Sequence, residues 1–322
     1  MLLKLVEYHW AEHIDDALLL LARLDTRTVP LAGGTHLLGL QDESIEAVVD
    51  LRDLDLATIS ETPQGLHIGA MATLQDMVDA PVLKSFASGL ISRAALLSSS
   101  SRLIRNCATL GGTLGAGVAS QADLLTALVA LDAQVVVRSG SKTELNLSGG
   151  TFERPGLALS GVVFKGKQER RVPCGMFNLE RRPNELIVEV IVPALRAGSG
   201  TSLLRVSRSA NDVALLNVAA LVEIEEDVYK RARVAFGGVN MEPVRVLGIE
   251  RQLEGQAVAR SDDTQRLLNV VRSSMADFRP PDDARASSGY RRVCGVNLAY
   301  RALEEATGIA QWRGVVSSER GV

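Results

Sequence analysis

Two glycine-rich loops constrain this 322-residue chain more than any other feature of its sequence. The first reads Ala-Gly-Gly-Thr-His-Leu-Leu over residues 32–38 and follows the apolar segment Val-Pro-Leu. The second spans residues 104–123 and contains Leu-Gly-Gly-Thr-Leu-Gly-Ala-Gly. Glycine permits positive φ and lets backbone N–H groups approach a bulky anion. Taken alone, such a loop is a weak motif that also serves as a plain connection. Two Gly-Gly-Thr loops, each after a strand-like segment, predict closure on one diphosphate from two sides.

Composition excludes several classes of function. The net charge is −3, the arginines are scattered and aromatic residues make up only 4% of the chain, so nucleic acid is not an expected partner. Apolar runs are interrupted before they reach membrane-spanning length, so no membrane insertion is expected. The three cysteines, Cys107, Cys174 and Cys294, lie far apart and form no metal-binding cluster. Their sparseness and the lack of a signal peptide predict a cytoplasmic protein.

The first half of the chain alternates short strands and helices. Residues 1–55 predict a small α/β unit, with a helix whose first turn holds Asp15 and whose apolar residues Ala17, Leu20, Leu21 and Leu24 lie at helical spacing. Residues 57–69 predict a hairpin, and Thr73 with Asp76 predicts a capped helix start. Further helices are predicted over 81–97 and 124–131, and strands over 134–138, 162–164 and 185–193.

The second half has a different pattern. A glycine-rich linker is predicted over 195–201, followed by strands over 213–225 and 232–239. Helices are then predicted over 243–254, 264–278 and 290–305, the last with Val293, Val296, Asn297, Tyr300 and Leu303 on one side. Strands followed by helices indicate a separate α+β domain. The tail, residues 311–322, is expected to fray.

The order of these motifs resembles the FAD-binding medium subunit of molybdenum hydroxylases, the family of xanthine dehydrogenase and carbon monoxide dehydrogenase. The resemblance rests on Ala-Gly-Gly-Thr at 32–35, Ile-Arg-Asn-Cys-Ala-Thr-Leu-Gly-Gly at 104–112 and Asp-Leu-Leu-Thr-Ala-Leu-Val-Ala-Leu-Asp-Ala at 123–133. It continues through Asn-Glu-Leu-Ile-Val-Glu-Val-Ile-Val-Pro at 184–193, Ala-Phe-Gly-Gly-Val at 235–239 and Tyr-Arg-Arg-Val-Cys-Gly-Val at 290–296. It therefore covers nearly the whole chain.

The resemblance implies an α+β fold in two domains. Residues 1–195 would form a two-part FAD-binding domain of the vanillyl-alcohol-oxidase (PCMH) type, with subdomains 1–55 and 56–195. Residues 201–310 would form an α+β domain of the carbon monoxide dehydrogenase flavoprotein C-terminal type, followed by the tail 311–322.

The resemblance also implies an oxidoreductase subunit that transfers electrons. It would bind FAD non-covalently, receive electrons from [2Fe–2S] clusters of a small partner subunit and pass them to an acceptor such as NAD. Molybdopterin would lie in a large partner subunit of a heterotrimer, which the family leads us to expect as a dimer. The absence of cysteine clusters agrees with clusters on a partner, and disfavours the subtype whose flavin subunit carries its own [4Fe–4S] cluster.

By position, the resemblance assigns cofactor contacts to both glycine loops and to three further residues. Asp123 would face the ribityl or adenosine part, Ile187 would lie near the flavin, and Arg205 stands where some relatives have a lysine near the flavin. The loop residues assigned are Ala32, Gly33, Gly34, Thr35, His36, Leu37, Thr109, Gly111, Gly112 and Thr113. No catalytic acid–base pair and no metal site are predicted.

Several residues depart from the family pattern or admit a second interpretation. Thr113 stands where the family usually has Asn, no proline follows it before Asp123, and Arg205 replaces Lys. His36 is either a covalent flavin attachment point or a plain turn residue, with the second favoured. Asp123 either contacts the cofactor or caps a helix that starts at Leu124.

Other residues near the second loop receive structural interpretations. Cys107 is expected in the core, and Arg105 with Asn106 is expected to buttress the loop.

Two other functions compete with electron transfer. A degenerate assembly subunit that no longer binds FAD is suggested by the altered Thr113 loop. A stand-alone flavin oxidase would need an aromatic-rich substrate pocket, which the low aromatic content disfavours.

Overall fold

The computed structural model describes residues 4–118, 122–142, 164–182, 184–239, 242–258 and 264–320. The strands are β1 (Glu7–Trp10), β2 (Thr28–Leu31), β3 (Ala47–Asp50), β4 (Ile59–Thr62), β5 (Gly65–Gly69), β6 (Gln134–Lys142), β7 (Phe164–Pro173), β8 (Glu185–Pro193), β9 (Ser199–Val206), β10 (Leu216–Glu225), β11 (Val228–Gly237) and β12 (Val244–Arg245). The α-helices are α1 (Ile14–Leu21), α2 (Leu74–Asp79), α3 (Pro81–Ser85), α4 (Leu90–Ser98), α5 (Arg102–Arg105), α6 (Leu110–Ala116), α7 (Ala122–Ala130), α8 (Phe177–Glu180), α9 (Leu247–Leu253), α10 (Thr264–Ser274) and α11 (Ser288–Arg320).

The N-terminal unit is a small parallel sheet in the order β1-β3-β2. The central strand β3 reads Ala-Val-Val-Asp and is buried along its whole length, as expected of a strand covered on both sides. The predicted helix is present as α1, which buries Ala17, Leu20 and Leu21. Leu24 lies beyond the end of α1 and is exposed, so the prediction of helical spacing as far as Leu24 was wrong.

A second sheet follows in the order β4-β5-β8-β6-β7, with antiparallel neighbours throughout. Helices α2, α4, α6 and α7 bury their apolar side chains against it in one continuous core. The predicted hairpin, the capped start at Thr73 and the strand over 185–193 are confirmed. The helix predicted over 81–97 is interrupted, because Ala87, Ser88 and Gly89 adopt positive φ. Of the strand predicted at 162–164, residues 162 and 163 lie outside the described residues.

The third sheet has the order β12-β11-β10-β9 and is apolar on both faces. Leu203, Ala219, Leu221 and Ala235 of this sheet belong to the core that contains α7. Alternate residues of the same strands, such as Val218, Ala220 and Phe236, pack with α9, α10 and α11. The third sheet is therefore sandwiched between the preceding domain and its own helices.

Three sequence predictions in this region need correction. The linker predicted over 195–201 contains the start of β9, where a Cβ on Gly200 would lie 1.9 Å from the Ala306 carbonyl of α11. The last helix is not confined to 290–305 but continues to Arg320, through most of the tail expected to fray. Val293, predicted on the same side of that helix as Leu303, is 65% exposed, whereas Leu303 is buried.

Candidate cofactor site

The two glycine loops face one another across a cavity of about 420 Å³, which we call the glycine cleft. The first loop follows β2, and the second runs into α6. Segments before α2 and at the start of β8 complete the lining, with Ala70, Met71 and Leu186. The predicted residues that line this cleft are Ala32, Gly33, Gly34, Thr35, His36, Leu37, Thr109, Gly111, Gly112 and Ile187.

Close contact between the loops explains why glycine is needed in the first of them. A Cβ built on Gly33 would lie 1.6 Å from the carbonyl oxygen of Cys107, a distance that no side chain permits. The next residue, Gly34, has a φ of +68°, which L-residues with a side chain rarely adopt. The first loop is thus fixed against the segment that leads into the second.

The backbone of the first loop has unused hydrogen-bond donors. None of the N–H groups of residues 33–37 donates to an acceptor within the part of the chain that the structure describes. Consecutive N–H groups without protein partners are what an anion-binding nest requires. The donor set of this loop therefore suits a diphosphate.

The second loop differs because the backbone N–H groups of residues 110–113 already donate to acceptors within the protein. Leu110 N–H donates to the Ala72 carbonyl at 2.9 Å, and Gly111 N–H donates to the Ala70 carbonyl at 2.8 Å. Thr109 caps α6: its hydroxyl accepts from Gly112 N–H at 3.1 Å, and its carbonyl accepts from Thr113 N–H at 2.9 Å. The second loop therefore forms a shaped wall of the cleft rather than a second nest. This corrects the prediction that both loops present free N–H groups to one diphosphate.

Two carboxylates that line the cleft, Glu185 and Asp42, are each paired with an arginine. Glu185 accepts two hydrogen bonds from Arg170, at 2.6 and 2.8 Å, and these contacts outweigh burial and lower the pKa of the carboxyl group. Asp42 pairs with Arg27 at 3.4 Å.

Arg181, which the sequence analysis missed, lines the cleft and donates to the Gly115 carbonyl at 2.9 Å. No motif marks this arginine, because it lies far along the chain from either loop.

Three predicted site residues do not line the glycine cleft. Thr113 is buried, and its hydroxyl has no hydrogen-bond partner among the described residues. Asp123 accepts a hydrogen bond from Asn217 at 2.8 Å and pairs with Arg205 at 3.3 Å. Burial raises the pKa of Asp123, although the charge of Arg205 opposes the change. For these residues, contact with a cofactor stays a prediction.

Arg205 is held by groups from both halves of the chain. Besides Asp123, it donates to the backbone carbonyls of Leu97 and Asp212. Its Nε is buried and has no partner among the described residues. Asp123, Arg205 and Asn217, which we call the Asp123 cluster, thereby join β9 and β10 to the start of α7, at the point where the second loop ends.

Several structural interpretations from the sequence are now decided. Arg105 buttresses the second loop as expected, since it is buried and donates to Gln75 and to the carbonyls of Ser99 and Ser100. Cys107 is exposed, so its expected place in the core was wrong. Asp123 lies within the first turn of α7, which begins at Ala122, so it is not the residue that precedes the helix.

Among the residues that the structure describes, no group of three or more His, Cys, Asp or Glu side chains is placed to hold a metal ion. No helix among these residues is long and apolar enough to span a membrane.

The sequence of both domains matches known families. Residues 4–195 match the FAD binding domain of molybdopterin dehydrogenases, and residues 203–306 match the carbon monoxide dehydrogenase flavoprotein C-terminal domain. This chain belongs to the FAD-binding subunits of the molybdenum hydroxylase family. It is accordingly an oxidoreductase subunit with FAD as its cofactor.

Individual relatives are similar over almost their full length. The glyceraldehyde dehydrogenase medium chain of Sulfolobus acidocaldarius is 28% identical, over 92% of this chain and 97% of its own. A putative xanthine dehydrogenase FAD-binding subunit of Escherichia coli is 26% identical, over 94% of this chain and 96% of its own. The structure of carbon monoxide dehydrogenase from Hydrogenophaga pseudoflava has a TM-score of 0.76 at 24% identity, covering 95% of this chain and 98% of that one. The expected two-domain α+β flavoprotein fold is confirmed.

Proposed function

We propose that this chain is the electron-transfer subunit of a three-subunit molybdenum hydroxylase. In this proposal it takes electrons from [2Fe–2S] clusters of a small partner subunit and passes them to an external acceptor such as NAD. A large partner subunit would hold molybdopterin and oxidise the substrate. The relatives named as medium chains support a multi-subunit assembly of this kind.

The observation that carries the proposal is the row of free N–H groups in the first glycine loop. FAD, when bound, supplies the redox chemistry, and the protein binds it, orients it and sets its potential. Residues 33–37 offer donors to its diphosphate, and the close approach of Gly33 to the Cys107 carbonyl fixes this loop against the segment that leads into the second loop. The second loop and Ile187 contribute a largely apolar wall that shields the cofactor from water.

The remaining predicted residues are assigned to the same cofactor within this proposal. Asp123 and Arg205 hold the end of the second loop in place and face the ribityl or flavin part. Thr113 contributes shape, because its hydroxyl is buried inside α6 rather than at the cleft. His36 lines the cleft and acts as a neighbour of the diphosphate, with non-covalent binding of FAD.

The first experiment is an absorbance spectrum of the purified chain, before and after acid precipitation. Visible flavin bands that stay in the supernatant support non-covalent FAD. Bands that follow the pellet would instead indicate the His36 linkage. A colourless chain that takes up no added FAD would refute cofactor binding and leave an assembly role.

The second experiment tests electron transfer in the complex. The chain is purified with its two partners, the substrate of the large subunit is added, and bleaching of the flavin bands is followed with and without NAD. We expect bleaching only when the small subunit is present. Oxidase activity of the isolated chain would contradict the proposal and favour a stand-alone flavin oxidase.

A further inference from the structure

Arg181 occupies a fixed position at the edge of the glycine cleft. It follows α8 with an extended ψ of 131°, which turns the chain from that helix toward the cleft. Its Nη1 donates to the Gly115 carbonyl of α6 at 2.9 Å. A guanidinium group carries several N–H donors in a planar fork, so this one contact leaves others available. The guanidinium is therefore held through Nη1, while its other N–H groups stay available.

Among the residues that the structure describes, no carboxylate pairs with Arg181. Glu185, the nearest carboxylate along the chain that lines the cleft, is held by Arg170 and also accepts from Arg182 N–H at 3.0 Å. Asp42 is paired with Arg27. Within the described part of the chain, Arg181 makes no ion pair with a carboxylate. The cleft thus holds a positive charge that no carboxylate among these residues neutralises.

The ligand of the cleft needs such a charge. A diphosphate carries negative charge that the neutral N–H groups of residues 33–37 solvate but do not neutralise. The backbone N–H groups of residues 110–113 add nothing to this, because they donate to acceptors within the protein. Guanidinium forks match phosphate oxygens in charge and geometry.

From these observations we infer that Arg181 binds a phosphate group of the FAD diphosphate, opposite the first glycine loop. This inference rests on the proposed function, since it requires FAD in the cleft. In this assignment, the positive charge that binds the diphosphate comes from a residue outside both glycine loops. The arginine then links the cofactor to α6 through the Gly115 carbonyl.

The test compares Arg181→Met with Arg182→Met in the full chain. Met keeps much of the length of the side chain and removes the charge. Arg182 is exposed, adjacent and absent from the cleft lining, so its replacement makes the same change in net charge. FAD dissociation constants are measured by quenching of flavin fluorescence, after circular dichroism has confirmed that each apo-protein is folded. If Arg181→Met does not fold, the same measurement is made on Arg181→Lys, which keeps the positive charge but lacks the planar guanidinium group.

We expect Arg181→Met to weaken FAD binding about tenfold or more, as loss of a charge-assisted hydrogen bond predicts, and Arg182→Met to change it less than twofold. In competition with FAD, ADP should lose affinity by a similar factor, because it carries the diphosphate without the flavin. FAD affinity equal in Arg181→Met and the unmodified chain would overturn the inference while leaving the proposed function standing. FAD affinity lost without a loss for ADP would overturn the assignment to phosphate. An unmodified chain that binds no FAD would overturn both.

Discussion

At the scale of single residues, the glycine cleft depends most on Gly33. The backbone of the first loop touches the Cys107 carbonyl at this residue, and a Cβ would sit 1.6 Å from that oxygen. The clash involves backbone on both sides, so no rotamer change can relieve it. The free N–H groups of residues 33–37 owe their position to this contact.

We predict that Gly33→Ala lowers the free energy of unfolding by at least about 2 kcal/mol, since overpacking forces the two loops apart. FAD affinity should fall as well. The matched control is Gly39→Ala, because a Cβ there meets no atom within 4 Å. Thermal unfolding and FAD titration of both variants provide the measurements. Unchanged stability and affinity in Gly33→Ala would show that the loops do not need this contact.

The sequence revealed Gly33 and Arg181 to different degrees, for a physical reason. Consecutive glycines after a strand indicate a local constraint on the backbone, so the first loop could be predicted from the sequence. An exposed arginine after a short helix carries no such signal, and only the fold brings it to the cleft. The state of the second loop was equally hidden, because the N–H groups of Leu110 and Gly111 donate to carbonyls of the distant residues Ala72 and Ala70.

At the scale of elements, local signals predicted most of what the structure contains, and non-local ones were missed. Thr73 and Asp76 cap α2 through contacts within one turn, so the pattern sufficed. Strand β7 reads Phe-Lys-Gly-Lys-Gln-Glu-Arg-Arg-Val-Pro and lacks apolar alternation, since it is stabilised as the edge partner of β6. Strand β9 begins at Ser199 and Gly200, where glycine suggested a linker but is needed for close contact with α11.

The start of α11 is anchored by an ion pair between the buried Arg291 and the more exposed Asp283, and this pair makes stability depend on pH. Arg291 is fully buried and donates to both carboxylate oxygens of Asp283, each at 2.9 Å, and to the carbonyls of Leu215 and Pro281. The hydrogen bond from Arg291 is the main reason that the pKa of Asp283 falls from 3.8 to about 2. The unfolded chain therefore binds this proton before the folded chain does as pH falls.

We predict that Asp283→Asn destabilises the protein at neutral pH and that the difference from the unmodified chain disappears in acid. A carboxylate with a lowered pKa stabilises the fold above its ordinary pKa, and this contribution is lost as pH falls through the folded value of about 2. Urea unfolding at several pH values between about 6 and 2 measures the difference. The control is the exposed neighbour Asp282→Asn. A difference that stays constant across this range would contradict the assigned pKa.

At the scale of the whole molecule, the two family domains share their packing. The sheet of the C-terminal domain contributes Leu203, Ala219 and Leu221 to the core around α7, so neither face of that sheet is free. The sequence predicted a separate α+β domain, since a strand-then-helix pattern describes connectivity but not what covers the second face of a sheet. Because both faces of the sheet are covered, β10 is buried continuously along residues 216–223.

Asp132 joins the two domains at the other end of α7 from the Asp123 cluster. It lies in the turn before β6 with a φ of +53°. It accepts hydrogen bonds from Arg231 at 2.5 Å, Arg233 at 3.0 Å and Arg245 at 2.5 Å, all in the C-terminal sheet. Burial would raise the pKa of Asp132, but the three arginines outweigh it and lower that pKa. One carboxylate thus contacts three arginines across the domain boundary, and each of these arginines has a second carboxylate partner.

We predict that Asp132→Ala lowers the free energy of unfolding by about 2 kcal/mol. Removal of one partner from a buried ion pair costs more than this, but here the side chains keep some contact with water. Arg233 and Arg245 also retain Glu254 and Glu250 as partners, each at 2.5 Å, which further limits the loss. The control is Asp277→Ala, which makes the same change in charge at a fully exposed side chain. Chemical denaturation of both variants, with FAD absent, measures the effect on the protein alone. If Asp132→Ala were as stable as Asp277→Ala, the shared apolar core would hold the domains together without this ionic contact.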